Sequence, residues 1–293
     1  MNIKREITIG AKTEYPLTIN RFGYGTMRLT GDFVWGEPLN RYEALQILKT
    51  AVNKGIKFID TADFYGKDIT NRLIAESLYP YPNDLVICTK VGTIRKTAKS
   101  WDFFDKPQEL RTSIENNLKT LKIEQLPLVH FRVMVGTDTP FEESMGAMFE
   151  MQKEGKILHV GVSCVNPEEL NKALKIGNIA SVENSFGYGQ RTTFTVHNNE
   201  IRGMQEVMDI CIKNRILMIP FWSLQNSLPK NENKILTIAE KYNATPAQIN
   251  LAWLLHYNEL ILPIPGTSKL KHFEENLIAR DISLSEEDMK FLA

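Results

Sequence analysis

Eight short apolar runs, at 22–27, 58–62, 85–91, 126–133, 158–163, 181–186, 217–222 and 260–265, alternate with amphipathic stretches along the whole chain. This alternation constrains the fold more than any other feature, because parallel strands can be joined only by long crossovers, usually helices. Eight such units in 293 residues point to a (β/α)8 barrel of the TIM type. The competing architecture, a doubly wound open sheet, would carry G-x-G-x-x-G after its first strand. Here Gly23-Tyr24-Gly25 runs on into Thr26-Met27-Arg28, so that fingerprint is missing. Ahead of the first run, Ile7, Ile9, Leu17 and Ile19 alternate with polar residues. They predict a short N-terminal β-hairpin that closes the bottom of the barrel.

Helix signals fill the intervals. Ala44, Leu45, Ile47, Leu48, Ala51 and Val52 share one helical face, and Gly55 follows where a left-handed C-terminal cap is wanted. Leu110, Ile114, Leu118 and Leu121 make a second stripe. Asn166-Pro167-Glu168-Glu169 and Thr245-Pro246 with Gln248 are helix starts with a capping side chain, a first-turn proline and a side chain to close the capping box. With no Ser/Gly linker, charge block or tight repeat, the chain is expected to form a single domain over 1–293.

Composition narrows the functional classes. Lys plus Arg equals Asp plus Glu at 35 each, so there is no global basic field and nucleic acid is not an expected partner. No apolar run approaches the length of a bilayer, and a membrane partner is not expected either. The first ten residues, MNIKREITIG, lack the apolar core of a secretory signal, and a cytoplasmic location is expected. Cys88, Cys164 and Cys211 are an odd set without C-x-x-C spacing, expected to be reduced thiols, and no metal site is expected. His159, His197 and His256 lack metal-ligand spacing. A monomer or weak homo-oligomer is expected.

In such barrels chemistry gathers at the C-terminal ends of the strands. The second run ends Phe58-Ile59-Asp60-Thr61-Ala62-Asp63-Phe64-Tyr65-Gly66, with a carboxylate at the tip and a phenol five residues on. The third places Lys90 inside an apolar segment. Each has a bland alternative: Asp60 as a turn cap, Tyr65 as a loop aromatic, Lys90 snorkelling to water. Together they suggest proton transfer, since an ammonium beside a phenol favours phenolate and lowers the phenol pKa, while Asp60 holds the ammonium in place. Such a site can protonate the alkoxide formed when a hydride reduces a carbonyl.

These residues resemble the aldo-keto reductases, over nearly the whole chain: Gly23 to Met27, Asp60 to Gly66, Thr89-Lys90, Val160-Gly161-Val162-Ser163, and Pro265-Gly266-Thr267-Ser268 with Glu275-Asn276. The resemblance implies a barrel that binds extended NADPH, with NADH not excluded, and reduces a small-molecule aldehyde or ketone. It makes Tyr65 the general acid, Lys90 the group that depresses its pKa, and Asp60 the partner of Lys90. The family's strand-four histidine falls here on Arg132, with His130 two residues earlier and on the same strand face. Arg132 is expected to orient the carbonyl and His130 to be a core histidine. Arginine at this place, Asp63-Phe64-Tyr65 and the segment Ala75 to Pro80 look like the branch that includes bacterial pyridoxal reductases, which makes pyridoxal a candidate substrate.

The resemblance also implies a cofactor set of Thr26, Met27, Ser163, Glu183, Phe221, Gly266, Thr267, Ser268, His272, Glu275 and Asn276. Cys164 and Glu183 stand where the family has asparagine and glutamine, and Gly266 and His272 where many relatives have lysine and arginine. Lys269, Lys271 and the following helix N-terminus are expected to receive the 2′-phosphate. Substrate contacts are expected from Met27, Trp35, Phe64 and Trp101, with residues near Tyr188, while Trp253 is expected in the core. Two other readings remain at this stage: a cofactor-binding regulatory protein of low turnover, and an aldolase-like barrel in which Lys90 forms a Schiff base.

Overall fold

A computed structural model describes residues 4–196, 199–202, 205–224 and 233–293, with backbone alone at 194–196, 199–201 and 233. The chain opens with the antiparallel hairpin β1 (Glu6–Ile9) and β2 (Leu17–Asn20), paired from Glu6↔Asn20 to Ile9↔Leu17. The barrel strands follow in order, each but the first preceded by a helix: β3 (Tyr24–Gly25), α1 (Arg41–Asn53), β4 (Phe58–Asp60), α2 (Ile69–Leu78) and β5 (Val86–Ile94). After β6 (Asp102–Phe104) come α3 (Pro107–Leu121), β7 (Leu126–Arg132), α4 (Phe141–Lys153), β8 (Ile157–Ser163), α5 (Pro167–Ile176) and β9 (Ser181–Glu183). A small hairpin of β10 (Phe194–Val196) and β11 (Asn199–Ile201) precedes α6 (Gln205–Asn214) and β12 (Leu217–Met218). Helices α7 (Asn233–Lys241), α8 (Pro246–Tyr257), α9 (Leu270–Ile278) and α10 (Glu286–Leu292) complete the chain.

Seven strands form one parallel sheet in the order β12-β9-β8-β7-β5-β4-β3. The eighth run, near 260–265, pairs as isolated backbone bonds rather than as a strand. Met218 N–H donates to Leu260 O at 2.8 Å, Leu262 N–H to Met218 O at 2.9 Å, and Gly23 N–H to Pro263 O at 2.8 Å. These bonds bridge β12 to the segment preceding β3 and close the (β/α)8 barrel. Pro263 and Pro265 have no N–H to donate, so a regular ladder cannot run through them.

A buried arginine supplies what the ladder lacks. Arg21, 3% exposed, donates to the carbonyls of Lys4, Leu255, Asn258 and Ile261 at 2.7–3.1 Å. Beside it the bottom is filled by Ile7, Ile9 and Ile19 of the hairpin, packed with Phe58, Val86, Leu128, Leu217 and Leu262, as the alternation of the first twenty residues predicts. The helix caps also follow the sequence: Asn166 and Thr245 each close a capping box, and Gly55 takes a φ of 81°.

The third strand differs from its sequence pattern. β5 continues past residue 91 to Ile94 because Gly92, Thr93 and Ile94 turn to pair antiparallel with β6, forming a hairpin that carries Trp101 over the barrel mouth. Among the described residues no helix is long and apolar enough to cross a membrane.

Replacing Arg21 by Met, which keeps much of the volume but none of the donors, leaves four buried or half-buried carbonyls short of a partner. It should cost about 3 kcal/mol or more. The measurement is a denaturant melt with unchanged m-value; a loss under about 1 kcal/mol would show that the backbone bonds alone close the barrel.

Candidate active site

Parallel register brings the polar residues of neighbouring strands to one level. Lys90 of β5 pairs with His130 of β7, which pairs with Gly161 of β8. Glu183 ends β9 opposite Ser163, and Asp60 ends β4 opposite Cys88. Gly161 is required here: a Cβ would run into the His130 ring and stand 2.8 Å from Ser181 O. The missing side chain makes room for the imidazole inside the barrel.

The Lys90 ammonium is the centre of the cluster. Its Nζ donates to Asp60 Oδ1 at 2.5 Å and to Thr61 O at 3.1 Å, and lies 3.2 Å from Glu183 Oε1. All three charged side chains are at most 3% exposed. Burial alone would lower the Lys90 pKa, but Asp60 and Glu183 outweigh it and raise it well above the ordinary lysine range. Two carboxylates thus compete for one cation. Burial, then repulsion from Glu183, pushes Asp60 up to about 8 despite its contact with Lys90. Burial also acts to raise Glu183, but Lys90 and His130 beside it bring it below the usual range.

His130, fully buried, is kept in its neutral form by burial. Its Nε2 is 2.7 Å from Ser181 Oγ, and its Nδ1 stands 3.2 Å from Cys88 Sγ and 3.0 Å from Glu183 Oε2. The contact to Glu183 is close but not aligned as a hydrogen bond, and among the described residues Oε2 has no other polar partner. Cys88, His130 and Glu183 offer ligand-type atoms within 4.8 Å of one another, a grouping the sequence does not reveal. The positive charge at this place is the Lys90 ammonium itself.

Tyr65 lies above this cluster, 6% exposed, with Lys90 Nζ 5.1 Å from its ring centroid. The sequence predicts a depressed phenol pKa, and the structure corrects this. Burial raises the phenol above its ordinary value; Lys90 and Arg132 act to lower it, but Asp60 and Glu183 oppose them. The phenol is therefore held neutral. A Schiff base at Lys90 fits poorly as well, because that chemistry needs a neutral amine and the two carboxylates keep the ammonium charged.

The expected substrate residues gather over the phenol. Phe64 meets Tyr65 edge-on with centroids 5.2 Å apart and Trp101 at 5.8 Å, while Met27, Val34 and Trp101 pack on the same cluster. Trp35 joins through Arg95, whose guanidinium lies 5.7 Å from the Trp35 ring and 4.5 Å from that of Trp101. Arg95 also donates to the carbonyls of Phe33, Val34, Ala98 and Ser100. It ties the loop after β3 to the hairpin of β5 and β6, and no motif in the sequence points to it. Tyr188 is different: it packs edge-on against Trp253 at 5.6 Å in the core and does not join the Phe64 cluster. Trp253, 1% exposed, is core as expected.

Arg132, at the tip of β7, has its guanidinium carbon 5.4 Å from the Trp101 ring and Nη1 3.5 Å from Cys164 Sγ. Thr26 is tied to the tip of β4, its Oγ1 and N–H both donating to Asp60 O at 2.9 Å. Among the described residues Ser163 Oγ finds only Cys164 Sγ, at 3.9 Å, and buried Ser185 Oγ has no partner. Phe221 pairs with Ser185 across the next strand gap. Two unspent hydroxyls beside an aromatic ring suit a flat amide-bearing group such as nicotinamide, so the residues fit such a cofactor. Glu183 fits the carboxamide role less well, since Oε1 is committed to Lys90.

The last segment holds Gly266 against the tip of β3, where a Cβ would stand 2.7 Å from Gly25 O. Thr267 O accepts from Tyr24 Oη at 2.6 Å. Ser268 and His272 are exposed, Glu275 is half-buried and Asn276 is buried. The anion seat expected at the start of α9 is already filled: Glu43 of α1 accepts from Leu270 N–H and from Lys269 Nζ, both at 3.1 Å. Lys271 faces Glu275 at 3.8 Å. Among the other histidines, His159 Nε2 lies 2.8 Å from Tyr15 O, and His256 Nε2 accepts from Leu284 N–H at 3.1 Å. His197 lies outside the described residues.

A model of the Aldo/keto reductase family matches residues 21–293. The chain belongs to that family. It is an oxidoreductase. Pyridoxine 4-dehydrogenase of Escherichia coli (strain K12) is 36% identical over 290 residues, covering 97% of this chain and 96% of that protein. Among solved structures, a thermostable aldo-keto reductase in complex with the inhibitor epalrestat superposes with a TM-score of 0.80 at 27% identity, covering 98% of each chain. An aldo/keto reductase from Klebsiella pneumoniae in complex with NADP and acetate gives 0.75 at 20% identity, over 99% of this chain and 94% of its own.

Because Glu183 acts to raise the Tyr65 pKa, Glu183→Gln should let the phenol ionise at lower pH than in the parent chain. Ultraviolet pH titration, with the Tyr65→Phe chain subtracted, checks this. An unmoved or upward-shifted tyrosine titration would show that Glu183 is screened from the phenol.

Proposed function

We propose that this aldo-keto reductase reduces an aldehyde or ketone to the alcohol with NADPH, and that pyridoxal is the first substrate to test. The observation that carries the reading is the buried Tyr65 ring, with the Lys90 ammonium 5.1 Å from its centroid on one side and Phe64 edge-on at 5.2 Å on the other. When bound, the nicotinamide supplies a hydride to the carbonyl carbon. Everything else falls to side chains of the chain. Tyr65 gives its proton to the carbonyl oxygen and regains one from solvent, and a phenol held neutral is the form that can donate. The Lys90 and Arg132 charges favour the phenolate left behind. The Arg132 charge would also favour negative charge developing on that oxygen. Asp60 keeps Lys90 in place.

The chain also offers groups for both ends of an extended cofactor. Ser163, Ser185 and Phe221 suit the nicotinamide end, and Lys269 and Lys271 supply positive charge at the other. Glu43 accepts from Lys269 and Leu270 in that seat, and a 2′-phosphate has to compete with it or settle beside it. The name of the Escherichia coli relative supports a pyridoxal–pyridoxine pair as substrate and product.

One observation favours a second reading, a cofactor-binding protein of low turnover: Lys90 is shared between two carboxylates, which weakens its pull on the phenol. A single experiment separates the two. With pyridoxal and a panel of small aldehydes, NADPH oxidation should be saturable and should fall by about a hundredfold or more in Tyr65→Phe, the usual worth of a general acid. Cofactor binding seen by protein fluorescence without turnover of any carbonyl would favour the second reading instead.

A further inference from the structure

The arginines of this chain mostly have obvious partners. Arg21 and Arg95 are surrounded by carbonyls, while Arg111 and Arg202 meet carboxylates. Arg132 does not. Among the described residues its buried Nε has no partner, Nη1 reaches only a cysteine sulfur, and no carboxylate pairs with it. A guanidinium half-withdrawn from water with donors unspent is costly unless an acceptor comes from outside the chain. The same guanidinium lies against Trp101, which packs on Phe64, which packs on Tyr65. Arg132 is also near enough for its charge to act on the Tyr65 phenol.

The geometry of an arginine adds a requirement that histidine would not. Its N–H groups form a planar fork matched to two oxygens side by side, and the Trp101–Phe64 wall suits a flat ring. We propose that this site selects carbonyl compounds with a second acceptor oxygen next to the carbonyl on an aromatic ring, ortho-hydroxyaryl aldehydes in chemical class. Arg132 bridges the two oxygens while Tyr65 addresses the carbonyl oxygen alone. The neighbouring oxygen is not consumed. Pyridoxal has a ring hydroxyl in this position, so the inference rests on the reductase reading and deepens it.

Two isomers of equal size and composition test it, 2-hydroxybenzaldehyde and 4-hydroxybenzaldehyde. The parent enzyme should favour the ortho isomer in kcat/KM by about tenfold or more, the worth of one hydrogen bond to a charged group. In Arg132→Lys, which keeps the charge without the fork, and in Arg132→Met, the ratio should fall toward one. Calorimetric titration of both isomers into enzyme saturated with NADP+, where no reduction occurs, should show the same preference in Kd and the same loss. Equal use of the isomers by the parent, or a preference that survives in Arg132→Met, overturns the inference and leaves the reductase standing. If neither isomer nor pyridoxal is bound or reduced, both readings fall.

Discussion

A lysine ammonium enclosed in a barrel and shared between two carboxylates is the interaction on which the rest of this site depends. Burial alone would favour a neutral amine, but Asp60 and Glu183 beside Lys90 keep it charged, and that charge in turn helps hold Glu183 below its usual range. The arrangement is not a device for stability, since buried ion pairs seldom repay their desolvation. Its effect is on protonation. Burial leaves the phenol above it with its proton and makes Asp60 a far weaker acid than usual, and with two anions around one cation the lysine does not reverse either shift. The imidazole of His130, packed beneath with Ser181 and Cys88, stays neutral.

That cluster is held in place by register rather than by local sequence. Lys90, His130 and Gly161 are level only because β5, β7 and β8 pair in parallel without slippage, and a one-residue slip would turn each side chain to the helix side of the sheet. The closing of the barrel is what makes the register final. Its weakest seam is the proline-bearing segment at 260–265, and there Arg21 and the N-terminal hairpin take over from a strand ladder. The bottom of the barrel is thus devoted to closure, while the tips at the other end are free to carry polar groups.

Two tiers of groups stand over the lysine. Below the mouth are the phenol, the unspent hydroxyls of Ser163 and Ser185 and the ring of Phe221. Above them Arg95 gathers Trp35 and Trp101 by stacking and by carbonyl bonds. Arg132 lies between the tiers, with an aromatic face on one side and Cys164 on the other. A loop structure fixed by one arginine leaves a second arginine with donors to spend.

The sequence by itself determined the alternation of strands and helices, the capping residues Asn166 and Thr245, the hairpin at the bottom and the identity of the polar tips at Asp60, Tyr65, Lys90 and Arg132. These are local matters: periodicity, turn chemistry and charge inside an apolar run can be read one segment at a time. The tertiary structure decided the rest. The sequence placed Lys90 beside Tyr65 and inferred an acidic phenol, but the sign of that shift is set first by burial in the closed barrel and then by the charges gathered there, among them Glu183, more than ninety residues from Lys90 along the chain. Likewise Glu43 reaches the start of α9 from α1, and Arg95 binds two loops that no periodicity relates. Electrostatic balance and loop anchoring are sums over neighbours in space, and a single chain of letters fixes those neighbours only after the barrel has closed.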